Sequence, residues 1–148
     1  MANPPGFPEA CRGFYFDRLL PLVRESGFEV LDPWDTDFEI SAPEAEKEVW
    51  KELNVLGGEK NAKAIESSDG RLAVLDGTDV DSGRASISGY AFAFGEKILD
   101  YRGNFRLTGD NPESTVNLQV EYFIRKGGGR IVRSVKELAD VLADIFSG

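Results

Sequence analysis

The stretch Arg71-Leu-Ala-Val-Leu75 constrains the fold more than any other part of the chain. It is a short, unbroken apolar run closed by the turn pair Asp76-Gly77, and it reads as a strand buried on both faces. Strands of that kind belong to parallel sheets covered by helices. The rest of the chain supplies matching parts. Residues 8–26 read as a helix, with Phe16, Leu19, Leu20 and Val23 at i, i+3, i+4 and i+7, a kink at Pro21 and a stop at Gly27. Phe28–Leu31 reads as a short strand closed by Asp32-Pro33. Ser41-Ala-Pro-Glu44 is a capping-box pattern opening a helix that runs to Leu56 and ends at Gly57-Gly58, with a second helix over about residues 59–68. Further helices are expected over 84–94, 114–126 and 134–146, the last opened by Ser134-Val-Lys-Glu137. Strands are expected at Lys97–Tyr101 and Arg130–Arg133. Strands alternating with helices predict one α/β domain over residues 1–148, with a parallel sheet and helices on both faces.

The 148 residues suffice for a core of their own, burying about 68–70% of the unfolded surface, so no metal or disulfide is needed to fold. The net charge of −9, with no cluster of Lys and Arg, excludes nucleic acid and anionic membrane as expected partners. No apolar run is long enough to span a bilayer, and no basic segment leads into an apolar stretch at the N-terminus; the expectation is a cytoplasmic protein. Cys11 is the one cysteine and there is no histidine. Ser-His-Asp catalysis, Cys-His catalysis and a zinc site are therefore excluded. Acid–base chemistry must run on carboxylates, tyrosine, lysine or water. Neither a metal nor a cofactor is expected.

Ligands of open parallel sheets bind beyond the carboxyl ends of the strands. The loop at that end of the 71–75 strand carries Asp76, Asp79 and Asp81 among Gly77 and Gly83. Two readings of it stand: a solvated acidic loop capping the next helix, and a binding site. A calcium loop fails for want of the fixed ligand spacing. A phosphatase Asp-x-Asp is absent, and no Gly-rich phosphate loop is present.

The run Leu75-Asp-Gly-Thr-Asp-Val-Asp-Ser-Gly-Arg-Ala-Ser-Ile-Ser-Gly-Tyr-Ala91 resembles the motif of the nucleoside 2-deoxyribosyltransferases. Ala2–Phe7 resembles that family's N-terminal turn, Gly27–Trp34 its second strand, and Val116-Asn-Leu-Gln119 its C-terminal segment. The resemblance implies a flavodoxin/Rossmann-like sheet and an enzyme that moves a 2-deoxyribosyl group between nucleobases, or to water, at the N-glycosidic bond. A carboxylate attacks the anomeric carbon, the base leaves, and a second base or water takes the sugar. The implied partners are a nucleoside, a free nucleobase and further copies of the chain in a homo-oligomer. The implied site comprises Phe7, Asn61, Asp76, Gly77, Asp79, Asp81, Gly83 and Asn117. Among these, Asp81 lies near the sugar's 5′ end, Asn61 handles the base, and Asn117 is lent to a neighbour's site. Read alone, Asn61 and Asn117 are also ordinary exposed helix residues.

Two departures follow from the same comparison. The position of the family's nucleophilic Glu is Ile87, which can neither attack carbon nor stabilise an oxocarbenium charge. The next residue, Ser88, is turned away by about 100° on a helix, and Arg84 replaces a threonine. The family also begins with a strand inside the sheet, and here that strand is expected to be truncated or to lie upstream. The alternatives are therefore a transferase, an impaired member that binds nucleosides without exchange, and an α/β domain with no small-molecule role.

Overall fold

The computed structural model describes residues 9–33 and 47–146. Three strands, β1 (Gly70–Val74), β2 (Lys97–Tyr101) and β3 (Arg130–Val132), form one sheet in the order β1-β2-β3. Both pairings are parallel, with Gly70 opposite Lys97 and Leu99 opposite Arg130. The helices are α1 (Glu9–Phe14, continued by Tyr15–Leu19 and Leu20–Glu25), α2 (Lys47–Glu66), α3 (Ser82–Phe94), α4 (Leu118–Lys126) and α5 (Val135–Phe146). The chain is thus an α/β fold with an open parallel sheet covered on both faces.

Period two in the strands and 3.6 in the helices divides the apolar residues between two cores. On the first face, Tyr15, Leu19, Leu20 and Val23 of α1 and Leu138, Val141 and Leu142 of α5 meet Val74, Leu99, Tyr101 and Val132. On the second, Ile65 of α2, Ala91 of α3, and Val120 and Ile124 of α4 meet Ala73, Leu75 and Ile98. The second face also buries an ion pair, Arg71–Asp100, at 3.2 Å. The Asp100 carboxylate accepts a further bond from the Ala73 N–H at 2.9 Å, so the charge is well coordinated inside the sheet.

Local chemistry explains where the elements depart from the sequence-based expectations. In α1, Pro21 lacks an N–H and its ring crowds the carbonyl four residues back. The helix widens ahead of it: Tyr15–Leu19 is a π-turn and the Leu20 N–H donates to the Tyr15 carbonyl. Gly57-Gly58 does not end a helix, and α2 runs through it for 20 residues. Two glycines cost about 1 kcal/mol each against alanine, but packing of the following turns on α3 outweighs that. Phe28–Leu31 is not a strand. Phe28 and Val30 pack against the first core, yet no described strand lies beside the segment to take its N–H and C=O groups. The helix expected over 114–126 begins only at Leu118, because the Asn117 side chain caps it by accepting from the Gln119 N–H at 3.0 Å. Around this helix Val116, Val120 and Ile124 face the protein's own core, while Leu118 and Tyr122 are exposed. The Ser134 cap holds: its hydroxyl accepts from the Glu137 N–H at 3.1 Å.

Candidate active site

The loop leaving β1 is held by a buried arginine on β2's own exit. The Arg102 guanidinium donates to the carbonyls of Leu75, Gly77 and Arg106. Its pKa is lowered by burial, with Asp76 opposing. Asp76 accepts from the Asn104 N–H at 2.7 Å, a second tie between the loops. Gly77 has a φ of 141°, and a Cβ there would sit 3.0 Å from the Asp79 carbonyl, so the turn requires glycine. Asp79 is exposed and accepts from the Val80 N–H at 2.7 Å.

Asp81 caps α3, its carboxylate accepting from the Arg84 N–H at 3.3 Å. A Cβ on Gly83 would lie 3.1 Å from that carboxylate, so the glycine keeps the cap open. Asp81 itself remains exposed at the helix start, where a negative charge is favoured.

Two matched stripes bound an open groove of about 380 Å³. Gly58, Asn61, Ala62 and Ile65 come from α2, and Gly83, Ser86, Ile87 and Tyr90 from α3. Each set follows i, i+3, i+4, i+7, one face of a helix. No carboxylate is among these residues. At one end the Tyr90 hydroxyl donates to Glu66 at 2.6 Å, and this bond raises the phenol's pKa.

The buried side of α3 is equally informative. Ser88 is fully buried, its hydroxyl donating to the Arg84 carbonyl at 2.8 Å, so it faces the sheet and not the groove. Arg84 is 1% exposed, and burial lowers its guanidinium to about 10, opposed first by the charge of Asp81.

Of the residues singled out from the sequence, Asn61, Gly83 and Ile87 meet in the groove and Asp81 stands at its Gly83 end. Asp76 and Gly77 serve the loop beneath, and Asp79 points to solvent. Asn117 lies at the start of α4 with its amide oxygen engaged as a cap, and does not line the groove. Phe7 lies outside the described residues. Tyr90, Glu66 and Ser86 were not singled out. The signal for Ser86 and Tyr90 is the i+3 and i+7 spacing from Gly83, visible only once α2 is known to face α3, and Glu66 on α2 enters through its bond to Tyr90.

A family model of nucleoside 2-deoxyribosyltransferases matches residues 1–123. The chain belongs to this family. The match spans β1, the acidic loop, all of α3 and the Asn117 cap, so the groove lies wholly within the deoxyribosyltransferase region. No curated protein matches the chain. Among solved structures, a conserved protein from Enterococcus faecalis V583 superposes with a TM-score of 0.68 at 21% identity, covering 96% of this chain and 94% of that one. At that identity the likeness establishes the fold. No described helix of this deoxyribosyltransferase-family chain is long and apolar enough to cross a membrane.

Proposed function

We propose that this family member holds a 2-deoxynucleoside in the groove between α2 and α3 and is crippled in the covalent step of deoxyribosyl transfer. The observation that carries the reading is Ile87 on the groove wall, with no carboxylate among the described lining residues. Retaining transfer needs an oxygen nucleophile to form a bond to the anomeric carbon as the C–N bond breaks and the base departs. A second base or water then displaces the carboxylate. Isoleucine offers no lone pair for the first step. Asp81, at the mouth, is able to deprotonate water, which yields free base and deoxyribose slowly and no exchange.

The charge of the loop supports nucleosides as ligands over nucleotides. Asp76, Asp79 and Asp81 together repel a 5′-phosphate, whereas an exposed Asp81 carboxylate accepts a bond from a 5′-hydroxyl. Calorimetric titration with deoxyadenosine, deoxyinosine and thymidine should show binding at least about tenfold tighter than their 5′-monophosphates, roughly 1.4 kcal/mol. A chromatographic assay with labelled free base should show no exchange above background. Brisk exchange by the unmodified chain would reject the reading and direct attention to Glu66, the carboxylate bonded to groove residue Tyr90; Glu66→Gln would then abolish it.

A further inference from the structure

The groove between α2 and α3 has two unlike ends. Tyr90, near the end of α3, bonds to Glu66, the last residue of α2, while Gly58 and Gly83 line the groove two turns nearer the helix starts. The two helices therefore run side by side in the same direction. At one end Gly83 adjoins the Asp81 carboxylate. Tyr90 and Glu66 bound the other end, about 10 Å further along α3. Ile87 stands between the two.

Most of the polar protons on the groove wall are already given away. The Tyr90 hydroxyl donates to Glu66 Oε1 at 2.6 Å. That bond, before any other cause, raises the phenol's pKa, so the proton stays on Tyr90. The Ser86 hydroxyl donates to the Ser82 carbonyl at 2.9 Å, one turn back on its own helix. What both hydroxyls still offer the groove is oxygen lone pairs. A carboxylate likewise only accepts, and Glu66 is exposed. Just beyond it, the Ser67 and Ser68 hydroxyls both turn back to the Ala64 carbonyl. Lys60 and Lys63 of α2 do not line the groove. Among the described lining residues, Asn61 carries the one side-chain N–H donor, and it sits more than a turn before Glu66. The end of the groove away from Asp81 is thus a patch of acceptors beside a negative charge.

With the 5′-hydroxyl of a bound nucleoside at Asp81 and its anomeric carbon at Ile87, the base extends toward Tyr90 and Glu66; this placement rests on the proposed function. We propose that Glu66 selects the base, so that the groove takes deoxynucleosides of adenine and cytosine, which present an exocyclic amine there, over those that present a carbonyl oxygen. The N6 amine of adenine and the N4 amine of cytosine donate, whereas O6 of guanine and O4 of thymine accept. An amine exchanges its water for a charge-assisted bond to Glu66. A carbonyl oxygen there faces a carboxylate and a phenol oxygen, and loses its own water without return. Hypoxanthine and uracil carry the same carbonyls and are rejected with them. Asn61 does not discriminate, since its amide both donates and accepts.

The test is calorimetric titration of the full chain with deoxycytidine, deoxyuridine, deoxyadenosine and deoxyinosine, two pairs that exchange an amine for a carbonyl. Each aminated nucleoside should bind at least about tenfold tighter than its carbonyl counterpart. In Glu66→Gln, whose amide also donates, the ratio within each pair should fall to about threefold or less. Tyr90→Phe cuts the same tie between the helices but keeps the carboxylate, so the preference should persist. The ratio is the deciding readout, because a Glu66 that only fastened α2 to α3 would, when replaced, weaken all four ligands alike. Equal binding within each pair by the unmodified chain, an unchanged ratio in Glu66→Gln, or loss of the preference in Tyr90→Phe overturns the proposal and leaves the groove a nucleoside site. Failure of all four nucleosides to bind rejects that site, and this proposal with it.

Discussion

Two residues on α3 that depart from the family pattern are both buried. Arg84 and Ser88 are one turn apart on the buried face, and both are almost completely enclosed. Their burial was invisible in the sequence, where Arg84 stood only as a replacement for a threonine and Ser88 as a residue turned about 100° from position 87. It bears on how the nucleophile should be restored. Ile87→Glu alone should raise base exchange by on the order of a hundredfold or more, because the new carboxylate enters the groove. Adding Ser88→Ile should cost about 1–3 kcal/mol of stability in a urea melt by overpacking. At the turn between α3 and β2, Glu96 is buried and neither of its oxygens has a hydrogen-bond partner among the described residues. Burial pushes its carboxyl up to about 7, with Arg71 opposing and Asp69 adding. The folded chain thus holds this proton more tightly than the unfolded chain, so the contribution of Glu96 to stability is fully present below about pH 4.5 and is lost as pH rises through 7. Glu96→Gln should melt higher than the parent at pH 8, and the gap should close near pH 4.5.

The elements that sequence made legible are those whose signal is local. β1, β2 and β3 were found within a residue or so because each is an apolar run between turn residues, and the caps at Asp81 and Ser134 sit where short polar side chains precede helices. The misreadings at Gly57-Gly58 and Phe28–Leu31 were tertiary. Gly57-Gly58 has a strong local stop signal, but the turns beyond it are held by α3. Phe28–Leu31 has strand alternation and the extended path, but pairing is a property of the neighbour. The groove itself was half legible: motif spacing found Asn61, Gly83 and Ile87, while Tyr90 and Glu66 required the helix–helix register. The Arg71–Asp100 pair was not foreseen, because Arg71 and Asp100 lie 29 positions apart on adjoining strands. Asp100→Ala should cost about 3–5 kcal/mol by leaving a buried guanidinium uncompensated. Replacing both residues with leucine should be near neutral or stabilising, measured by the same denaturation midpoint.

For the whole molecule, the expected assembly is a homo-oligomer with Asn117 at or near the contact. Leu118 and Tyr122 are exposed one turn apart on α4, beside the half-buried Asn117. Light scattering at micromolar concentration should give at least a dimer, and Tyr122→Glu should shift it toward monomer. Within one copy, Arg102 ties the exits of β1 and β2 to one another through three carbonyls. The two loops are thereby joined beneath the start of α3. Helix α2 packs chiefly on α3. The width of the proposed groove is then set by how closely the stripe from Gly58 to Ile65 seats against that from Gly83 to Tyr90.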